Sequence, residues 1–586
     1  MRRDVTASAV VVALRRAALL AGATAAVVAG GVPTAASAQP ARWTSVVVTG
    51  VDAHGAAAAV RAAGGRVVAD LPVVRGVAAQ LPAGTALGPQ WVVAPARELH
   101  LAEATTGGTG APSTVRATLG LPATGDEGRG VTVAVVDTGV ADVPDLAGRI
   151  AGRVDLTGTG AGDGYGHGTF MAGLIAGSGA ASDGAYRGVA PGAKLVDVKV
   201  ADAAGHTDLI TVLRGLEWIA EHAQDVDVVN LSLSSYSPLP YQLDPLTQAL
   251  EALWRRGVTV VVPSGNDGPG AGTVTSPGTD PVLLTAGGLD ESQTEGRSDD
   301  VVGTWSGRGP TWQGDAKPDL VAPGASVVSL RSPGSAVDTG YPNARIGTGY
   351  FRGSGTSMAT AVTSAVVADA LSVAPRLRPD AVKNLLVGTA YAAPGLSPAA
   401  GAGAGGLDAG RVLSAAPGWH SNGAQSQYDR DTAAVRADAR TWAEFAQALV
   451  DNDRTAAWNA WRKLSQQSRD WAGRAWAQLD PATKDWAGRA WAGRAWASAA
   501  DGTAQEWLGR AWAGRAWAGR AWADSDWAGR AWAGRAWADS DWAGRAWADS
   551  EWAGRAWAGD DWAGRAWAGR AWAADAWSAR AWAWVS

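Results

Sequence analysis

The stretch RGSGTSMATA, residues 352–361, sets Ser357 among glycines and threonines directly ahead of a long apolar run. A serine placed there can do one of two things. Its hydroxyl can accept an orphan amide bond at a helix start, or it can attack an electrophile if a base and an orienter for that base stand close by. Residues 358–373 read as a helix under either reading, so the deciding residues lie elsewhere in the chain. Asp137 ends the apolar run Val131–Val136 in VTVAVVDTGV, and Thr138-Gly139 turns the chain at once. A carboxylate at the end of a buried parallel strand stands where open α/β sheets place their sites, although an Asp capping the next turn would look the same. His167, in DGYGHGTFMAGLIAG, lies between two glycines at the start of the helical run Phe170–Ile175, so other groups can pack closely against its ring. His54, His100, His206, His222 and His420 have no comparable setting. Asn266 follows the strand-like Val258–Val262 in VTVVVPSGNDGPG. Its amide could donate to a developing oxyanion, a contact of ~2.7–4 kcal/mol in the transition state, or serve only a turn.

Asp137, His167, Asn266 and Ser357 thus come in that order, each at a strand end or helix start. With GVAPGAKLVDVKV, VVNLSLSS, WSGRGPT and KPDLVAPG they resemble the subtilisin-like serine proteases over about residues 113–415, in the family's order and spacing. The resemblance implies an α/β fold, a mostly parallel sheet with helices on both faces. It implies that Ser357 is the nucleophile, that His167 is general base and then acid, and that Asp137 orients and charge-stabilises the imidazolium. Asn266 would form the oxyanion hole with the Ser357 N–H, aided by the positive end of the following helix. Ser232, Leu233 and Ser234, with Ser264 and Gly265, would bind substrate, the backbone near 232–235 pairing with an extended peptide as an added strand. Some positions depart from the family. Ala361 and Val362 replace its usual Pro and His, Phe170 replaces a second His, SLSS replaces SLGG at 232–235, and Pro263 replaces a small residue. None removes a catalytic group, but together they forbid carrying over a side-chain preference. No cofactor is implied for catalysis. Structural calcium is common in the family, but no acidic cluster with readable ligand spacing assigns it here.

The bulk composition narrows the classes further. A chain of 586 residues holds several units, and a net charge of −5 gives no electrostatic case for nucleic acid. Absence of cysteine removes disulfides, thiol catalysis and cysteine zinc sites together. Residues 1–38 read as a secretory signal: arginines, a short apolar run, then ASA with a cut after Ala38. An uncleaved anchor is the alternative, and Arg15-Arg16 leaves the export route open between the general and the twin-arginine pathways. Residues 39–112 alternate as strand, helix, two strands and a further strand, and resemble the inhibitory propeptide of subtilases, closed by the linker TTGGTGAPS. A permanently attached accessory domain is the alternative.

Residues 416–470 read as a polar, partly helical linker, and 471–586 as repeats of W-A-G-R-A. The chain has 32 Trp against 3 Phe, and from Trp507 to Trp582 a Trp falls at every fifth residue. Period five circles a helix at about 140° per step and alternates faces in a strand, so it fits neither amphipathic form. Such a tail suits contact with cell wall, glycans or a membrane surface, self-association, or no specific role. The expectation is a secreted, wall-associated or free serine endopeptidase made as a zymogen, acting on protein and peptide substrates, its catalytic domain monomeric. The alternative is a surface-binding or self-assembling protein in which the tail is the working part.

Overall fold

The computed structural model describes residues 43–101, 113–419 and 435–469, with breaks at 89, 122–126, 238, 436–437, 451–452 and 467, and the dipeptides 522–523 and 537–538. The expected signal peptide, the linker and nearly all of the tail lie outside the described residues. Within the tail, Trp522–Ala523 pairs in parallel with Trp537–Ala538.

Strand β1 (Trp43–Thr49), helix α1 (Ala53–Ala62) and strands β2 (Arg66–Leu71), β3 (Gly76–Pro82) and β4 (Val92–Pro95) make a small antiparallel sheet in the order β2-β3-β1-β4. Alternation along β1 explains its two neighbours. Val46 and Val48 pack under Ala56, Ala57 and Val60 of α1, while Val47 faces the main core of the chain. Asp52 starts α1 by accepting from the Gly55 amide at 2.7 Å. Val73 and Val74, between β2 and β3, are also buried in the main core, and the Val73 amide donates to Glu217 at 2.7 Å.

Strand β5 (Glu98–Leu101) leaves this sheet, and helix α2 (Val115–Thr118) follows the break. The remainder runs β6 (Thr132–Asp137), β7 (Ile150–Asp155), α3 (His167–Ala176), β8 (Lys194–Lys199), β9 (Thr207–Asp208), α4 (Leu209–Glu221), β10 (Val228–Leu231), β11 (Leu233–Ser234), α5 (Pro245–Arg256), β12 (Thr259–Pro263), β13 (Leu284–Asp290), β14 (Val301–Val302), β15 (Leu320–Pro323), β16 (Val327–Leu330), α6 (Ala336–Gly340), β17 (Arg345–Ile346), β18 (Tyr350–Gly353) and α7 (Thr356–Val373). The large sheet has the order β14-β13-β12-β10-β6-β8-β7, with β15 also on β13, and only β14 runs antiparallel. Val133–Val136 are wholly buried, the continuous apolar run that a parallel strand covered on both faces requires. Helices α3 and α7 pack together against this sheet, and α4 and α5 pack together as a second layer against it.

Helix α7 is buried almost along its whole length, hydroxyls included. Thr360 and Thr363 donate to the carbonyls one turn back, each at 2.7 Å, so their burial leaves no orphan donor. After α8 (Pro379–Thr389) and α9 (Ala409–Ala415), the stretch expected to be a polar linker contains α10 (Ala439–Val450) and α11 (Arg454–Lys463). Their inner face is not polar. Trp442 and Phe445 are fully buried in one cluster with Ala94 of β4 and with Leu239, Leu243 and Trp312 of the main body. The amphipathic spacing is what the polar outer residues concealed in the sequence.

Beyond β13, Glu291 is buried with Thr114 donating to it at 3.1 Å, and loss of water pushes its carboxyl up to about 8 from an ordinary 4.5. Between those values the folded chain holds a proton that the unfolded chain has released. Stability from this group is therefore full below pH 4.5, falls as pH rises through 8, and is level above. Glu291→Gln, which keeps an acceptor for Thr114, is expected to melt higher than wild type by a few degrees at pH 8. The gain should shrink toward pH 5. Parallel melting curves at both pH values would refute the assignment.

Candidate active site

Asp137 ends β6 and His167 opens α3, and packing brings them together: His167 Nδ1 lies 2.7 Å from Asp137 Oδ1 and 2.9 Å from Oδ2. Both side chains are almost wholly buried. The two glycines around the histidine are required sterically. A Cβ on Gly168 would stand 2.1 Å from the Gly139 carbonyl, and Gly166 holds φ at +112°. The turn that presents His167 is organised by a residue that the sequence pattern does not single out. Asp163 accepts from Thr138 Oγ1 at 2.8 Å, from the Tyr165, Gly166 and Thr169 amides at 3.2, 2.6 and 2.8 Å, and from Thr169 Oγ1 at 2.7 Å. Thr138 Oγ1 in turn accepts from the Gly168 amide at 2.9 Å. Burial raises the Asp163 carboxyl while these donors oppose the rise. The only sequence signal for it is an Asp four residues ahead of His167, which is common enough to pass unnoticed.

Ser357 lies in the first turn of α7, whose N-cap is Gly355 and which has no side-chain cap. That corrects the idea that Ser357 also caps its helix: its hydroxyl donates instead to the Ser232 carbonyl at 3.2 Å. A hydroxyl two positions inside the N-cap is past the place from which it can reach back to the free amides. Ser232 Oγ donates to the Ser357 carbonyl at 3.3 Å and accepts from Asn230 Nδ2 at 3.1 Å, while Ser364 Oγ donates to Asn230 Oδ1 at 3.0 Å. These bonds tie the end of β10 to α7 and fix the start of the helix against the sheet.

Asn266, just beyond β12, accepts through Oδ1 from the Thr356 amide at 3.0 Å and from Thr356 Oγ1 at 2.9 Å. Its Nδ2 is buried and has no partner among the described residues. A buried amide donor without an acceptor costs about 1–3 kcal/mol, and its position beside the positive end of α7 suits an anion there. Asp137, Asn266, Ser232 and Ser357 all stand at the carboxyl ends of parallel strands or the helix start facing them, where open α/β sheets collect ligands.

Residues expected to bind substrate divide into two groups. Leu233 and Ser234 form β11 and pair antiparallel with the chain's own β5, Leu233 opposite Leu101 and Ser234 opposite His100. On its other edge β5 pairs with β9, Glu98 opposite Asp208. Arg97 anchors the entry to β5: its Nη2 donates to both Asp244 oxygens at 2.8 Å and its Nε to Ser235 Oγ at 3.1 Å. Ser264 and Gly265 are turned to the frame instead. Their carbonyls accept from the Thr275 and Gly307 amides at 3.1 and 2.8 Å, and Ser264 is fully buried. Tyr236, two residues beyond β11, donates through its hydroxyl to Asp267, the neighbour of Asn266, at 2.5 Å, a bond that no sequence spacing announced. Among the described residues no three His, Asp or Glu side chains gather as a metal site would require, so the calcium expectation gains no site.

The family model described as the subtilase family, peptidase S8, matches residues 128–405. The chain is 45% identical over 269 residues to the serine protease AprX of Bacillus subtilis (strain 168), covering 44% of this chain and 61% of that protein. It is 34% identical over 268 residues to the M-protease of Shouchella clausii (strain KSM-K16), covering 45% of this chain and 60% of that protein. With Subtilisin Savinase of Lederbergia lenta the identity is 35% over 238 residues, 40% of this chain and 73% of that protein. The chain thus spans about 60% of the length of the first two relatives. The family match contains Asp137, His167, Asn266 and Ser357, and with 35% identity over 73% of Subtilisin Savinase the chain belongs to the subtilase family.

Proposed function

We propose that this chain is an exported serine endopeptidase made as a self-processing zymogen. Ser357 Oγ attacks the scissile carbonyl carbon as its proton passes to His167 Nε2, and Asp137 stays ionised and holds the imidazolium. The carbonyl oxygen, now an anion, accepts from Asn266 Nδ2 and the Ser357 amide. The C–N bond breaks as His167 returns the proton to the leaving amine, and water then hydrolyses the acyl ester by the same steps. Export is supported by the arginine, apolar and ASA pattern of residues 1–38. The tryptophan repeat is assigned an attachment role, since Arg beside Trp in the sequence suits glycan or interfacial contact.

The observation that carries the zymogen reading is β5. A segment of the chain itself lies as the added strand on Leu233–Ser234, in the manner of an extended substrate, and its register advances toward Ser357. The small sheet behind it, anchored by Arg97 and by Val73, would hold that segment in the cleft after scission and block it. The chain from Gln39 is expected to shed an N-terminal fragment ending within a residue or two of Leu101. Ser357→Ala should keep its full mass, and only wild type should take up a fluorophosphonate. Processing of the Ser357→Ala chain at the wild-type rate, or failure of wild type in both assays, would end this reading.

A further inference from the structure

The pairing of β5 with the cleft does not stop at its first residue. The Leu209 amide, at the end of β9, donates to the Arg97 carbonyl at 2.9 Å, so the contact that sets Leu99 opposite Thr207 continues back to position 97. An extended peptide seated on β9 and β11 in the same way brings its own residue to this place. Side chains alternate along the segment. Leu99 is buried while Glu98 and His100 are exposed, so position 97 shares the inward side with Leu99.

What Arg97 meets there is an anion site built by other parts of the chain. The Asp244 side chain is 1% exposed and that of Arg97 10%. Asp244 is held independently of Arg97: its Oδ1 accepts from the Leu246 amide at 3.0 Å, capping α5, and its Oδ2 accepts from Ser276 Oγ at 2.9 Å. Ser235, whose Oγ accepts from Arg97 Nε, exchanges backbone bonds with Ser276 at 2.8 and 3.1 Å. A site fixed in this way spends little binding energy on ordering itself. Ser235, Asp244 and Ser276 all belong to the body that remains once the N-terminal segment is shed. Among the described residues Arg97 is the one cation paired with Asp244. Departure of the segment therefore leaves a buried carboxylate with two neutral donors and no counter-ion, a costly state until a cation returns.

We infer that Asp244, with Ser235 and Ser276, is a substrate subsite for arginine, four residues ahead of the place that Leu101 takes. The inference rests on the protease reading and adds a substrate class to it: peptides carrying a basic residue well upstream of the scissile bond. The geometry favours arginine over lysine. Arg97 Nη2 reaches both carboxylate oxygens at 2.8 Å while Nε reaches Ser235 Oγ at 3.1 Å, a use of the planar fork that a single ammonium does not reproduce. Glutamine there leaves the carboxylate uncompensated, and glutamate sets a like charge against it.

The test is a series of internally quenched peptides copying residues 95–106, with Arg, Lys, Gln or Glu at position 97. They are offered to processed wild-type enzyme freed of its N-terminal segment. Arg should exceed Gln in kcat/KM by about ten- to hundredfold, the range for hydrogen bonds to a charged group, with Lys between them and Glu lowest. The difference should fall in KM, because the pair forms alike in the bound ground state and the transition state. In Asp244→Asn, which keeps an acceptor for the Leu246 amide and so the cap of α5, the Arg-to-Gln ratio should drop toward one. Equal rates for the Arg and Gln peptides in wild type would overturn the subsite and make the Arg97–Asp244 pair an anchor of the N-terminal segment alone. A ratio unchanged in Asp244→Asn would overturn it as well, and in both cases the protease reading stands. Cleavage of none of the peptides would overturn that reading and the subsite with it.

Discussion

His167→Ala is expected to lower kcat on the order of a millionfold, the magnitude known for loss of the catalytic histidine or serine in subtilisins. The Ser357 hydroxyl is a poor nucleophile with its proton on, and in this chain that proton would have one base to go to. The ring is held in the orientation that proton transfer needs. Its Nδ1 is 2.7 and 2.9 Å from the two oxygens of a fully buried carboxylate, which leaves Nε2 for the serine. Asp137→Asn should cost less, about ten-thousandfold, because the ring remains but in the wrong tautomer. A residual rate of about 10³–10⁴ over water should survive in His167→Ala, supplied by the oxyanion donors and by binding, and about a hundredfold more in Asp137→Asn. Since neither variant should process itself, each is freed of its N-terminal segment by immobilised wild-type enzyme before assay. A His167→Ala enzyme within a hundredfold of wild type would remove His167 from the mechanism.

The second large effect is at Asn266. Its Oδ1 is occupied by the Thr356 amide and hydroxyl, which leaves beside the start of α7 a buried Nδ2 with no partner among the described residues. Asn266→Leu should lower kcat about 10²–10³-fold, the loss known for an oxyanion-hole donor in subtilisins. KM should change little, because the bond forms with the anion and not with the ground-state carbonyl. Leucine also removes the acceptor for Thr356, so a loss could be read as a shifted helix start. Asn266→Asp separates the two effects. It keeps the acceptor, removes the donor and adds a like charge, and it should lose at least as much kcat as the leucine variant. An aspartate variant with nearly wild-type kcat would assign Asn266 to positioning Thr356 alone.

What the sequence determined by itself was the local structure around each reacting group. Val131–Val136 and the run after Ser357 were legible because both are buried on all sides, and total burial writes itself as an unbroken apolar string. Observed β6 and α7 begin and end within a residue or two of those runs. The order Asp137, His167, Asn266, Ser357 was legible for the same reason: each follows or precedes such a string. Tertiary structure decided what no local pattern encodes. Whether Ser357 caps α7 depended on where the helix begins, and its N-cap is Gly355, so the hydroxyl is left to the Ser232 carbonyl. Asp163 looked like an ordinary loop acid until Thr138, from another strand end, donated to it. The seating of β5 on β11 joins residues about 130 positions apart and rests on backbone bonds, which every sequence can make. Trp442, in a stretch that reads as polar, found its partners in β4 and near Trp312. In each case the missing information was which distant surfaces meet. Local periodicity reports how much of a segment is buried, and only packing decides against what.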